Sequence, residues 1–298
     1  MRRTVPALIV IAALAGAALT GCSTSSEASA CNVTSGSGSD SITASGKFGQ
    51  DPKAKVPSPL NVSRVESSTL IKGTGPQVNK GGAAQLAITV FDGETGAGGQ
   101  TQSGFFPVVG SQISTGLADA LACTTEGSRI AVVLPPKDAT TLGAQGGSAV
   151  AIVDVEKALP NRATGRSRAA TPGFPTVILA PNGQPGIVIG DHAEPKKVSA
   201  AILKEGEGAK AKKSDTLIVQ TQTVSWADPT SASGSWEQGS PATQTLNDGS
   251  ALSSELIGKR VGSQVIVQVP ASKSSDGNAS ATVVDILGVL PASASSAQ

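Results

Sequence analysis

Four landmarks occur in the same order in both halves of this chain, and that repetition constrains the fold more than any other feature of the sequence. Gly73-Thr74-Gly75 is matched by Gly206-Glu207-Gly208, Gly127-Ser128-Arg129 by Gly262-Ser263-Gln264, Pro135 by Pro270, and Asp154 by Asp285. The spacing stays near ~133 residues, far beyond the roughly 20–50-residue periods of solenoids and propellers, so the chain reads as a tandem pair of domains. Its 298 residues suit two domains. The first is expected over 46–159 and the second over 172–290. A linker at 160–171 carries Arg162, Arg166 and Arg168 among small residues, and 291–298 is expected to be a disordered tail.

Within each copy most segments are rich in β-branched residues and bounded by turn formers, which predicts strands. These are 86–91, 130–134 and 150–155 in the first copy and 217–224, 265–269 and 282–287 in the second. One short helix stands out per copy. Leu117 and Leu121 share a face in 116–123, as do Leu252 and Leu256 in 250–258. So narrow an apolar stripe cannot hold a helix alone, so each must pack on the concave face of its sheet. The expected class is α+β, a bent antiparallel sheet around one short helix in each domain. Aromatic residues make up 2 % of the chain and Tyr is absent, so the cores must be aliphatic.

The N-terminus predicts export. Arg2 and Arg3 precede an apolar run from Val5 to Leu19 that is shorter than the ~20 residues needed to span a bilayer. Leu19-Thr20-Gly21-Cys22 follows and resembles the bacterial lipobox. Residues 1–21 would then be a cleaved signal, and Cys22 the lipidated first residue, anchoring the protein on the extracytoplasmic face of the cell membrane. Residues 22–45 are mostly Ser, Thr, Gly and Ala, a composition expected to form a disordered tether. Cys31 and Cys123 remain, and an isolated pair in an oxidising compartment is expected to form a structural disulfide. Closing a loop of ~90 residues would contribute about 4 kcal/mol in the chain-entropy model.

Several function classes drop out. With 23 basic and 22 acidic residues the net charge is +1, which gives no field for nucleic acid. A single histidine, His192, excludes a multi-histidine metal site and leaves no Ser/His/Asp arrangement elsewhere. No metal and no cofactor is expected. The glycine clusters at Gly96, Gly98 and Gly99 and at Gly143, Gly146 and Gly147 lack the strand, helix and lysine context of a phosphate cradle and read as loops. Lys210, Lys212 and Lys213 read as a solvated patch.

The order of features in each copy is a Gly-x-Gly turn, a strand, an apolar-Gly segment, a short helix, Gly-Ser-Arg or Gly-Ser-Gln, a strand ending in Pro, and a last strand through Asp. The residues that carry it are 105–110, Gln112-Ile113, 116–121, 127–129 and Pro135-Pro136, then 215–226, 235–241, 258–263, Pro270 and 283–287. The chain resembles the FKBP-type peptidyl-prolyl cis–trans isomerases, in the tandem lipoprotein form found in actinobacteria. The resemblance covers about 230 residues and implies two FKBP-like domains that act on Xaa-Pro bonds of exported polypeptides without any cofactor.

Family members bind proline in an aromatic pocket, and matching that pattern gives Phe105 for the Phe before the helix, Ile113 for an apolar wall and Leu117 for the helix Trp. The strand Tyr falls on Ile88 or Phe91. The proline-pocket candidates are therefore Phe91, Phe105, Ile113 and Leu117, and no catalytic residue can be named. In the second copy the strand Tyr falls on Thr221, the Phe-Asp pair on Ala232 and Ser233, and the helix Trp on Leu252, while Trp226 and Trp236 fall on flanking loops. Two functions follow: a membrane-anchored isomerase with weak or lost catalysis, assisting exported proteins, or a non-catalytic binding or scaffold lipoprotein of the cell envelope.

Overall fold

A computed structural model describes residues 33–109, 113–143 and 147–292. The expected signal segment 1–21, Cys22, Cys31 and all but the first two residues of the expected tail 291–298 lie outside them. Among the described residues no helix is long and apolar enough to cross a membrane.

The first lobe is a five-stranded antiparallel sheet in the order Glu66–Ile71, Arg129–Leu134, Ala149–Ala158, Ala83–Asp92, Gln102–Pro107. Its central strands are near-continuous apolar runs because both faces are covered. Ile130, Val132 and Leu134 join the cluster built on the helix Thr115–Leu121. Ala131 and Val133 face the other way, into a cluster with Phe91, Ile152 and Ile42.

The second lobe repeats this plan in a seven-stranded sheet. Its order is Ala232–Ser233, Thr216–Ser225, Ser280–Leu290, Gln264–Val269, Ser199–Glu205, Arg166–Ser167, with Ala242–Thr245 also paired to Thr216–Ser225. The helix Ala251–Leu256 covers one face, and a hairpin of Thr176–Leu179 with Pro185–Val188 covers the other. The corresponding hairpin of the first lobe pairs Thr43–Ser45 with Lys53–Lys55.

The repeated landmarks have steric causes. A Cβ on Gly73 would collide with the carbonyl of Glu126, and one on Gly206 with that of Val261. That closeness lets the Gly73 N–H donate to Ser128 Oγ and the Gly206 N–H to Ser263 Oγ, both at 3.0 Å. Each Gly-x-Gly turn is thus held by the serine of the following Gly-Ser motif.

Three expectations need correction. Residues 33–45 are ordered rather than a tether: Ser37–Asp40 is a short helix, and Ile42, 2 % exposed, lies in the core. Small residues serve close approach here. Glu66 Oε2 accepts the N–H groups of Gly38 and Ser39 at 2.9 and 3.2 Å, and a Cβ on Gly36 would collide with the same carboxylate. Residues 160–171 are likewise not a free linker. Arg166–Ser167 pairs with the strand Ser199–Glu205, Gly165 N–H donates to Gly262 O at 2.8 Å, and Ala163 is buried. Finally, each lobe has more than one helix, since Ser37–Asp40, Pro136–Ala139 and Ser235–Gln238 are also helical.

The lobes share a packed seam. Ala83 and Leu159 of the first bury against Ile218 and Leu287 of the second, with Phe105 and Leu290 at the edge. Gly288 makes room, because a Cβ there would stand 2.9 Å from Leu159 Cδ1.

Candidate functional site

The two lobes treat one buried carboxylate differently. Asp154 accepts two bonds from Arg129, Nε to Oδ1 at 2.6 Å and Nη2 to Oδ2 at 2.7 Å, and a third from Gly49 N–H at 2.6 Å. The remaining guanidinium donors reach Gly46 O and Lys47 O at 3.2 and 3.1 Å, and the Phe48 ring lies 5.9 Å away. The bond to Asp154 raises the already high pKa of Arg129. In the second lobe Gln264 stands in register with Asp285 and donates at 2.7 Å, while Ala163 N–H donates at 3.2 Å. Burial pushes the Asp285 carboxyl above the ordinary range, against the opposing pull of Gln264, Ala163 and the Lys204 and Arg162 charges. These pairs tie the hairpin-bearing segment of each lobe to its sheet, and neither carboxylate lines the cavities described below.

The chemistry-competent space is on the helix face of the first lobe. A cavity of about 580 Å³ opens there, within the range of ligand sites. Ile88, Val90, Phe106, Ile113 and Leu142 give it apolar walls, and Thr101, Gln102 and Thr141 supply polar groups. Thr101 is fixed from behind: its N–H donates to Asp51 Oδ1 at 3.0 Å, and its hydroxyl lies 2.7 Å from that of Thr89. The Thr101 hydroxyl and then its N–H, both bonded to Asp51, hold that carboxyl below its ordinary range. Next to the lining residue Ile113, Ser114 leads into the helix with φ of 75°, a left-handed conformation that is costly for a non-glycine residue. Its Oγ accepts the Leu117 N–H at 3.2 Å, so the strained residue also caps the helix.

The four candidates separate. Ile113 lines the cavity, and Leu117, fully buried, belongs to the cluster that supports it. Phe91 does not reach it. Strand alternation puts Leu86, Ile88 and Val90 on the helix side and Phe91 on the opposite face, against Ile42 and Val133. Phe105 is also displaced, into the seam between the lobes, while its neighbour Phe106 forms the cavity wall. Phe105 and Phe106 part in this way because one step along a strand reverses the face. The expectation that named Ile88 as an alternative to Phe91 gives the residue that lines the cavity. The loops around Gly99 and Gly143, read from the sequence only as loops, form its rim together with Gln100 and Thr141; Leu142, an apolar residue directly before the loop glycine Gly143, is the available signal.

The second lobe has no equivalent wall. Its helix-facing cluster is aliphatic, built on Leu217, Val219, Leu246, Leu256 and Ile286. Thr221 is engaged with the loop, accepting Ser235 N–H at 3.2 Å, and Trp226 packs on the other face with its indole N–H donating to His192 O at 2.9 Å. Ala232 and Ser233 are exposed on an edge strand, and Leu252 is half-buried beside the helix cluster. Lys213 pairs with Asp248 at the surface. Cys123 is half-buried just after the first helix, and its expected partner Cys31 lies outside the described residues. Among the described residues no group of three His, Cys, Asp or Glu is placed to hold a metal ion.

No protein-family model matches the chain, and no curated protein matches it. Solved structures do show similarity. The three FKBP domains of wheat FKBP73 align with 12 % identity and a TM-score of 0.32, covering 76 % of this chain and 94 % of that one. FkpA from Escherichia coli aligns with 19 % identity and a TM-score of 0.30, over 42 % of this chain and 55 % of that one. A peptidyl-prolyl cis-trans isomerase from Pseudomonas syringae pv. tomato aligns with 17 % identity and a TM-score of 0.27, over 30 % and 72 %. At scores of this size the reading of the chain rests on its own strand order and cavity.

Proposed function

We propose that the chain is an FKBP-type peptidyl-prolyl isomerase-like lipoprotein whose first lobe binds the proline of Xaa-Pro segments in exported polypeptides. Cys22 carries the lipid on the extracytoplasmic face of the cell membrane, and a Cys31–Cys123 disulfide fastens the N-terminal segment beside the first helix. The observation that carries the reading is the helix-face cavity walled by Ile88, Phe106 and Ile113. Rotation about an Xaa-Pro bond needs no nucleophile and no metal. Its barrier of ~18–20 kcal/mol arises from amide resonance, which the twisted bond loses. A water-poor wall that holds the twisted form more tightly than either planar isomer lowers that barrier. Among the described residues Phe106 is the one aromatic residue in the cavity wall, and Gln102 and Thr141 are the side chains able to hydrogen-bond the polypeptide backbone, since the donors of Thr101 are taken by Asp51. So sparse a polar set supports slow catalysis in the first lobe and none in the second.

NMR exchange spectroscopy on a panel of Xaa-Pro peptides tests this. Added protein should accelerate exchange, Phe106→Ala should remove the acceleration, and Phe105→Ala should leave it. Unchanged exchange for every peptide ends the catalytic reading. A second reading, a non-catalytic binding module, is favoured by the lack, among the described residues, of any carboxylate or second aromatic in the cavity wall; it predicts Phe106-dependent peptide shifts without faster exchange.

A further inference from the structure

The two hairpins on the outer faces of the lobes are duplicates in position and opposites in surface. In the first, the outward positions are Thr43, Ser45, Lys53 and Lys55, and charged residues of this kind protect an edge from pairing. The second exposes Ile178 at 61 %, Val188 at 50 % and Leu179 at 38 %. Its two strands carry no charged residue, and the charges that reach the hairpin, Arg162 and Glu237, bond to its turn at Pro181 and Gln184. Its two strands pair with each other alone, in the register Ile178 with Gly186 and Thr176 with Val188, and Ala180 N–H donates to Gln184 O. By antiparallel alternation the backbone groups of Val177 and Leu179 point away from the partner strand. Among the described residues no backbone bond reaches them on that side.

Beside this free edge lies a cavity of about 250 Å³. Phe174, Val177, Leu179 and Leu203 give it apolar walls, and Arg168 and Lys204 stand at its polar part. Arg168 is neutralised by Glu205. Lys204 makes no ion pair among the described residues: its ammonium donates to Ala163 O at 3.5 Å and acts on the buried Asp285 only at longer range. In the first lobe the equivalent strand position holds Arg129, whose long side chain and the overlying Phe48 occupy the space between sheet and hairpin segment. The shorter Gln264 of the second lobe instead forms part of the cavity wall.

We infer that this edge is a docking site for an extended polypeptide, which adds as a strand along Thr176–Leu179, seats one apolar side chain in the cavity and places a carboxylate against Lys204. Main-chain bonds to Val177 and Leu179 supply affinity without sequence demand, and the cavity and Lys204 supply the preference for an apolar residue next to an acidic one. The site is separate from the first-lobe cavity and does not depend on the isomerase reading.

Fluorescence anisotropy of the full chain with a fluorescein-labelled Thr-Val-Thr-Leu-Glu peptide tests it. Binding should saturate, and Ile178→Lys should weaken it at least about tenfold, or about 1.4 kcal/mol. Alternate N-methylation of the peptide backbone should abolish it. Lys204→Glu should shift the preference from this peptide to Thr-Val-Thr-Leu-Lys. Ile178 is exposed, so unchanged tryptophan emission shows that its variant still folds. Equal binding by the N-methylated peptide overturns the strand geometry. So does the absence of saturable binding, a concentration-dependent dimer that Ile178→Lys dissolves, or Ile178-dependent binding only to phosphatidylglycerol vesicles.

Discussion

Asp154→Asn and Asp285→Asn make the same chemical change at equivalent places and should have very different costs. Asp154 is 3 % exposed and holds a guanidinium that is fully buried. Asparagine there leaves Arg129 with its bonds to Gly46 O and Lys47 O but no counter-charge, and a guanidinium cannot shed its proton to escape. Breaking a buried pair from one side costs about 3–5 kcal/mol. Asp285 faces a neutral amide. If asparagine replaces it, Gln264 can turn its amide to accept, while the new Oδ1 still accepts from Ala163 N–H. No charge is orphaned, and the change should stay within about 1 kcal/mol at neutral pH. Urea denaturation monitored by circular dichroism reads the whole chain, and tryptophan emission reads the second lobe, which carries both Trp226 and Trp236. The reasoning is refuted if Asp154→Asn costs less than about 1 kcal/mol, or if the two variants are equally destabilised.

Other expectations follow from single features. Because burial raises the Asp285 pKa, the folded state binds the proton more tightly than the unfolded chain, so this group's contribution falls as pH rises from the ordinary carboxylate range through the raised value. Denaturation midpoints of wild type relative to Asp285→Asn should therefore decline over that interval, and a parallel pair of curves would contradict the assignment. Leu159→Ala removes a residue 2 % exposed in the seam and should cost about 2–5 kcal/mol while separating the circular dichroism and tryptophan transitions. A single unchanged transition would show that the seam does not couple the lobes. Mass spectrometry of unreduced digests should join Cys31 to Cys123, and free thiols at both would exclude that bond.

The duplication and most sheet strands were legible because their signals are local. Gly73, Gly206, Ser128 and Ser263 mark a backbone approach that only glycine permits, and the central runs from Ile130 and Val265 are apolar on both faces. What could not be read depended on facts absent from local pattern. Phe105 and Phe106 are identical side chains on opposite faces, and only the register with Gln85 and Ala84 says which one enters the cavity. The small residues at 33–45 look flexible until the Glu66 carboxylate they wrap is placed beside them. The hairpins escaped because their strands are short and their partners lie on the outer face, where Thr and Ser sit as readily as Val.

The Glu66 clamp also has a mechanical meaning. Tension arriving along the chain from before Val33 meets first the bonds of Ser67 N–H to Thr34 O and of Arg64 to Thr34 and Ser35, next the two N–H groups of Gly38 and Ser39 on a single carboxylate oxygen, and then the buried Ile42. Glu66 opens the strand that pairs with Arg129–Leu134, so the pull passes into the first sheet before it can reach the seam. Forced opening is governed by the barrier along that route. A tug on the N-terminus therefore loads the lobe that holds the helix-face cavity and spares the lobe with the unguarded hairpin, which makes the first site sensitive to stretching and leaves the second indifferent to it.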